Sequence, residues 1–387
     1  MEQEEFPIRK FVAPEFIFGI DARKLVGRYA NNFEARKVLV VTDPGVVSAG
    51  WADSALVFLR EAGVEYALFS SLTSNPKAEE VRAGTELFLR EGCDAIVAVG
   101  GGSPMDCAKG IGILSTNKRD ILEFEGVDMV ELPIPPLICI PTTAGSAADV
   151  SQFAIITDVR RGVKFAIISK MIVPDVALID PVTTTTMPAK LTACTGMDVL
   201  CHAIEAFVST AHSPITDLHA WEAIRLATAN LLPAIREPEN AVLRARMMLA
   251  CLEAGLAFSN ASLGMVHAMA HAVGGLLDAP HGECNAILLP HVIAFNFDEV
   301  PSRYAEIAKA MGLEVTGMAP AAVLSAMISA IESLNEAMGI STTLGRRGVS
   351  REVIPELAKN ALNDPCIYTN PGRPQQQDIE AIYERAL

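Results

Sequence analysis

The chain has 387 residues, half of them hydrophobic, with a net charge of −15 and a pI near 5. That length allows two or three domains with sizeable cores, and the composition excludes disorder. The acidic balance argues against nucleic acid as a partner, because phosphate backbones select basic surfaces. The opening MEQEEFPIRKF is acidic and polar rather than a basic region followed by an apolar one, and no apolar run reaches the roughly 18 to 20 residues of a membrane span. A cytoplasmic protein with no membrane partner is expected. The eight cysteines show no C-x-x-C and no regular spacing, so buried, reduced thiols are expected rather than a disulfide framework or a zinc ribbon.

From residue 36 strands and helices alternate. ARKVLVVTDPG reads as a buried β-branched strand, WADSALVFLREAG as an amphipathic helix, EYALFSSL as a strand, AEEVRAGTELFLREG as a helix and CDAIVAVGGGS as a strand entering glycines. PLICIPTT, FAIITD, KFAIIS and DVALIDP are further strands. This order predicts a doubly wound, Rossmann-like parallel α/β sheet, and the charged turn at Arg160-Arg161-Gly162 predicts a hairpin that makes the sheet mixed at one edge. Beyond about residue 187 only helical patterns follow. The expectation is an α/β dinucleotide-binding domain over 1–187 and an all-helical metal-binding domain over 188–387, with a cleft between them.

Gly100, Gly101 and Gly102 end an apolar strand and precede Ser103, Pro104 and Asp106. Ser103 at N-cap, Pro104 at N1 and Asp106 at N3 predict a helix start whose bare N–H groups suit a phosphate. The competing reading is a tight turn that holds nothing. The run is not G-x-G-x-x-G, because position 105 is Met. A second polar turn, PTTAGSAADVS, follows another strand, and two such loops at strand carboxyl ends suit a nucleotide pyrophosphate. Asp43 either accepts hydrogen bonds from a ribose diol, favouring NAD over NADP, or merely opens an Asp-Pro-Gly turn.

Four of the seven histidines lie in HAMAHAVGGLLDAPHGECNAILLPH. His267 and His271 stand one helical turn apart, Gly274, Gly275 and Pro280 should break that helix, and His281 can fold back from a loop or the next helix start. Asp198 and His202 repeat the spacing upstream. A carboxylate with several imidazoles is a ligand set for Fe, Zn, Ni or Co, although histidines also serve as caps and satisfied core residues, and spacing does not choose between His267 and His271.

GGGSPMDCAKG, PTTAG, ALIDPVTTTTMPAKLTACTGMDVLCHAIEAFVS, NASLGMVHAMAHAVGGLLDAPHGECNAILLPHV and DPCIYTNPGRP together resemble the signature blocks of the iron-containing (group III) alcohol dehydrogenases. The resemblance runs in order over nearly the whole chain. It implies interconversion of a small alcohol or diol and its aldehyde by hydride transfer to NAD, with Fe²⁺, Zn²⁺ or another divalent metal held by Asp198, His202, His267 and His281. It implies that His271 is the catalytic, non-ligand imidazole that relays the proton. Asp43, Asn75, Gly101, Gly102, Ser103, Thr142, Thr143 and Lys164 fall at or near the family's NAD contacts. A homodimer or larger homo-oligomer is expected on the same ground. His212 and His219 read as surface or cap histidines, and His291 lies beyond the ligand set.

One loop departs from the family's usual PTTAGTGSEVT. Here Ser146 keeps the usual hydroxyl, Ala148 loses one and Asp149 shortens the usual Glu, so the nicotinamide end and substrate preference are where a difference should show. Two rival readings stay distinct, a dehydroquinate-synthase-type lyase that recycles NAD internally and a binding protein whose site has decayed, while a hydroxyacid-oxoacid transhydrogenase is a variant within the leading class.

Overall fold

The computed structural model describes residues 8–341 and 343–387. Its first half is built on β1 (Glu15–Phe18), β2 (Lys37–Val41), β3 (Glu65–Phe69), β4 (Ala95–Gly100), β5 (Gly126–Val127), β6 (Leu137–Pro141), β7 (Phe153–Asp158), β8 (Val163–Ile168) and β9 (Val176–Ile179). Between them lie α1 (Val26–Asn32), α2 (Pro44–Ser48), α3 (Trp51–Glu61), α4 (Ala78–Glu91) and α5 (Gly102–Thr116). Six strands form one sheet in the order β1-β9-β6-β4-β2-β3, and every pairing in it is parallel. Alternation decides the layers. Val38, Val40, Val97 and Val99 face a core that includes Val26, Ala55 and Leu59 of α1 and α3, whereas Leu39, Val41, Ile96 and Ala98 face one that includes Val81, Phe88 and Ile111 of α4 and α5.

The main sheet has no mixed edge, contrary to the expectation. β7 and β8 do form the antiparallel hairpin, but they leave the main sheet and make a second one with β5, in the order β5-β8-β7. The helical half draws them away. A Cβ at Gly275 would lie 2.8 Å from the backbone of Val163 and Lys164, so a bare glycine face lets β8 lie directly on a helix.

The sheet's chain path reverses between β2 and β4: from β2 the chain moves outward to β3, and from β4 it moves the other way to β6 and β9. Ligand crevices in open parallel sheets form outside the carboxyl ends of strands at such a reversal. Asp43 and the glycines after β4 lie there.

No strand follows Ile179 among the described residues. The second half consists of α6 (Ala189–Val208), α7 (Pro214–Arg236), α8 (Ala241–Ala261), α9 (Met265–Leu277), α10 (His281–Asn296), α11 (Pro301–Ala310), α12 (Pro320–Ala337), α13 (Ile354–Leu362) and α14 (Gln376–Arg385). α6, α7 and α8 pack on one another, and α9 and α10 pack against α6, α12, α13 and α14. α6 is long and apolar enough to cross a membrane by length and composition, but it lies buried at the centre of this bundle. All eight cysteines are free and buried.

Candidate functional site

The glycine turn after β4 differs from expectation by two residues. Gly101, not Ser103, is the N-cap of α5, and the helix runs from Gly102. Gly101 has extended backbone and no side chain to cap the first turn, so the N–H groups there stay available to an anion. Ser103 is instead turned to the loop before α4, where its Oγ accepts from Asn75 N at 3.2 Å. The second polar turn closes on the first: a Cβ at Gly101 would meet Thr143 Oγ1 at 2.9 Å, and one at Gly102 would meet Ser146 Oγ at 3.0 Å. Thr142 N donates to Gly100 O at 2.9 Å, which ties the loops together.

Asp43 fills its modest role and keeps room for the other. Its Oδ1 caps α2 by accepting from Gly45 N and Val46 N at 2.8 and 3.0 Å, and the residue also lines the crevice. Asn75, at φ +64°, accepts from Lys164 Nζ at 2.7 Å and donates to Asp278 Oδ1 at 2.5 Å. That chain of contacts spans the cleft from the sheet to the end of α9. Burial lowers the Lys164 ammonium below its ordinary value. All eight predicted cofactor residues line a single cavity of about 900 Å³ that also reaches Asp198, His202, His267, His271 and His281.

α6 sets Asp198 and His202 one turn apart on a buried face, and α9 does the same for His267 and His271. Contrary to the expectation, Gly274 and Gly275 do not break α9; the helix continues to Leu277 and ends at Asp278, in the left-handed region at φ +50°. Both glycines are there for contact, since a Cβ at Gly274 would lie 2.8 Å from Lys164 Nζ. The reversal brings His281 back as the first residue of α10.

Asp198 Oδ1 lies 3.7 Å from His267 Nε2 and 3.6 Å from His281 Nε2. The His202 ring stacks on His267 with centroids 4.5 Å apart and on Phe258 at 4.3 Å. Burial would raise the Asp198 carboxyl, but the imidazoles of His202, His281 and His267 hold it well below the usual carboxylate range. Burial depresses His202 to about 3 and lowers His281 well below its ordinary value, so both rings are neutral and offer lone pairs. His267 differs: burial opposes its charge, yet Glu205 and Asp198 raise it to about 9.

The donor set fits a divalent transition metal, and an orphaned amide supports that reading. Asn285 Nδ2 sits 2.7 Å from Asp198 Oδ1 and 3.2 Å from Nε2 of both His267 and His281, while its own Oδ1 is buried without a partner. Three ligand atoms therefore converge on one point that a cation would satisfy better than an amide.

Besides Asn285, three further residues carry a site role not assigned from the sequence. Glu205 shares the α6 face of Asp198 and His202, three residues past the latter, and accepts from His267 Nδ1 at 2.5 Å and Val266 N at 2.7 Å. It fixes which nitrogen of His267 faces the cleft. Helical spacing could have revealed it. Asp364 accepts from His271 Nδ1 at 2.7 Å and from Cys366 N at 2.8 Å, leaving His271 Nε2 for the cleft. Nothing local marks Asp364, which is 93 residues away in sequence from its partner. Asp106, expected only as a helix-start acid, lines the cleft, and burial pushes its carboxyl up to about 7. The remaining histidines lie elsewhere: His212 pairs with Asp217 at 3.1 Å, His219 with Glu253 at 2.5 Å, and His291 is on the far part of α10.

The altered turn is also strained. Ala147 stands where the usual family loop has glycine and adopts φ +48°.

The pattern of the "Iron-containing alcohol dehydrogenase" family matches residues 13–181, and that of the "Fe-containing alcohol dehydrogenase family, C-terminal" matches residues 192–387. The chain is 43% identical over 372 residues to 1,3-propanediol dehydrogenase of Klebsiella pneumoniae, covering 96% of each. It is 40% identical to NAD-dependent methanol dehydrogenase of Bacillus methanolicus, over 97% of this chain and 99% of that one. A crystal structure of 1,3-propanediol oxidoreductase superposes with a TM-score of 0.95 at 42% identity, covering 98% of this chain and 100% of that one. The chain belongs to the iron-containing alcohol dehydrogenase family.

Proposed function

We propose that the protein is a metal-dependent, NAD-linked alcohol dehydrogenase that interconverts a small primary alcohol and its aldehyde. The observation that carries this is the convergence of Asp198 Oδ1 with the Nε2 atoms of His267 and His281, beside His202, on a cavity shared with two phosphate-suited loops. Asp198, His202, His267 and His281 would hold Fe²⁺ or another divalent metal, which would supply Lewis-acid polarisation of the alcohol oxygen. Gly101, Gly102, Ser103, Thr142 and Thr143 would hold the pyrophosphate of NAD at the start of α5, and NAD would supply the hydride acceptor. Asp43, Asn75 and Lys164 contact its remaining parts. Asp364 holds His271 with Nε2 towards the cleft, and His271 passes the alcohol's proton outward. The hydrocarbon faces of Phe153, Phe258 and Leu263 keep bulk water from the reacting atoms.

The residues divide into a nucleotide domain over 1–187 and a metal domain over 188–387, with the reaction between them. We place the protein in the cytoplasm as a homodimer or larger, which the free thiols and the exposed Phe16 and Phe18 on edge strand β1, with Ile20 just beyond it, support. The test is NADH formation from short primary alcohols by protein stripped of metal and reloaded anaerobically with Fe²⁺, Zn²⁺ or nothing. Metal-dependent NADH is expected. Nucleotide binding without net NADH would favour a lyase that recycles its cofactor.

A further inference from the structure

The cleft wall beside the four metal-site residues is hydrocarbon. Phe258 lies on the His202 ring at 4.3 Å with an interplanar angle of 19°, and Phe153 meets Phe258 edge-on at 5.6 Å. Leu263 and Ala148 extend the same wall, and all four side chains are buried. The polar groups interleaved with them in sequence each make a contact within the protein. The Gln152 amide turns away to donate to Ser259 O at 2.5 Å. Ser151 Oγ accepts from Lys109 Nζ and from Phe153 N, each at 3.4 Å. Ser146 Oγ accepts from Ala148 N at 3.4 Å. The hydroxyls of Thr142, Thr143, Ser146 and Ser151 line the same cavity on the loops that would hold the nucleotide, and the reaction assigns His271 Nε2 to the reacting hydroxyl.

A substrate's carbinol carbon must sit at the metal site, so the next carbon of its chain lies against this wall. Against the rings of Phe153 and Phe258 a hydroxyl would lose water and find no partner, whereas a methylene would lose nothing. We propose that the enzyme selects monohydric primary alcohols over diols whose second hydroxyl is on the adjacent carbon, and that Phe153 is the residue that sets this preference. The inference rests on the dehydrogenase reading and narrows its substrate class. An apolar pocket rejects an added hydroxyl by about 10- to 100-fold.

Two measurements on the metal-loaded protein test it. The first compares kcat/KM for 1-propanol and 1,2-propanediol. The second compares, by calorimetry on the NADH complex, the affinities of propionamide and lactamide, unreactive aldehyde analogues that differ by the same hydroxyl. Both ratios should favour the monohydric ligand by about 10- to 100-fold, and Phe153→Ser should shrink each by about tenfold. Phe153→Tyr, which keeps the ring and adds a polar atom, should move them in the same direction if the serine variant does not fold. Equal or better use of the diol by the natural protein, or ratios unchanged in a folded variant, would overturn the proposal. No NADH from any alcohol would instead overturn the dehydrogenase reading, while the amide ratio would still report on the wall.

Discussion

Gly282 is the residue through which the packing of two helices reaches the metal site. An alanine Cβ there would lie 2.2 Å from the carbonyl oxygen of Cys194, 2.8 Å from the carbonyl carbon and 3.4 Å from its Cα. The obstacle is the backbone of α6, which has no rotamer to change, so the start of α10 must recede by about 0.8 Å to restore a 3.0 Å contact. His281 precedes Gly282, and Asp198 lies one turn beyond Cys194, so this movement widens the 3.6 Å gap between His281 Nε2 and Asp198 Oδ1. Metal sites tolerate ligand displacements of only about 0.2 Å. Gly282→Ala should therefore weaken Zn²⁺ or Co²⁺ binding by about 10- to 100-fold, or about 1.4 to 2.8 kcal/mol, and lower stability by about 1–3 kcal/mol. Competition against a chromophoric chelator reads the first, and urea unfolding of the metal-free protein reads the second. A folded variant that binds metal with unchanged affinity would refute the coupling.

Glu205→Gln leaves one donor where two acceptors were needed, facing either Val266 N–H or His267 Nδ1, and should cost about 10- to 100-fold in metal affinity; titration with Co²⁺ checks it. Because His267 is raised to about 9, metal must displace its proton, so binding at pH 7 should release about one proton from this ring and tighten as pH rises towards 9. Calorimetry in buffers of different ionisation enthalpy measures that release. Asp106 has a folded value of about 7, above its unfolded one, so it binds its proton more tightly when folded; its contribution is most favourable below about pH 4 and is lost as pH rises to 7. Asp106→Asn should gain on the parent by up to about 4 kcal/mol between pH 4 and 8 in unfolding of the cofactor-free protein, less whatever solvent in the cleft relaxes. Ala147→Gly relieves a left-handed alanine and should stabilise by about 0–1 kcal/mol, the relief being partly offset by a more flexible unfolded chain; a loss above about 1 kcal/mol would show that the Ala147 methyl group is needed against its neighbours.

The central parallel strands β2, β4, β6 and β9 were legible because they are apolar runs rich in Val and Ile and bounded by turn chemistry. The hairpin at Arg160-Arg161-Gly162 was legible too, but its destination was not: leaving the main sheet depends on Gly274 and Gly275, which lie more than a hundred residues later. The same two glycines misled the reading of α9, since glycine's cost within a helix can be outweighed by the close approach it permits. β1 carries only four residues between charged and proline-containing flanks and gave no clear pattern. In the site, pairs four apart on one helix showed themselves by spacing. The choice between His267 and His271 came from family resemblance, and the structure supplies a physical difference: Glu205 and Asp364 orient the two rings separately. Partners such as Asp364 and Asn285 meet these histidines only after the helices pack, which no local pattern encodes.

Two clusters near the cleft have donor atoms close enough to hold a metal: Asp198, His267 and His281, and His271, Asp364 and Cys366. X-ray diffraction at the iron absorption edge, on crystals loaded anaerobically with Fe²⁺, separates them directly. One anomalous peak is expected, bounded by Asp198, His202, His267 and His281, with His271 outside its ligand shell. A peak at His271, Asp364 and Cys366 would contradict this assignment.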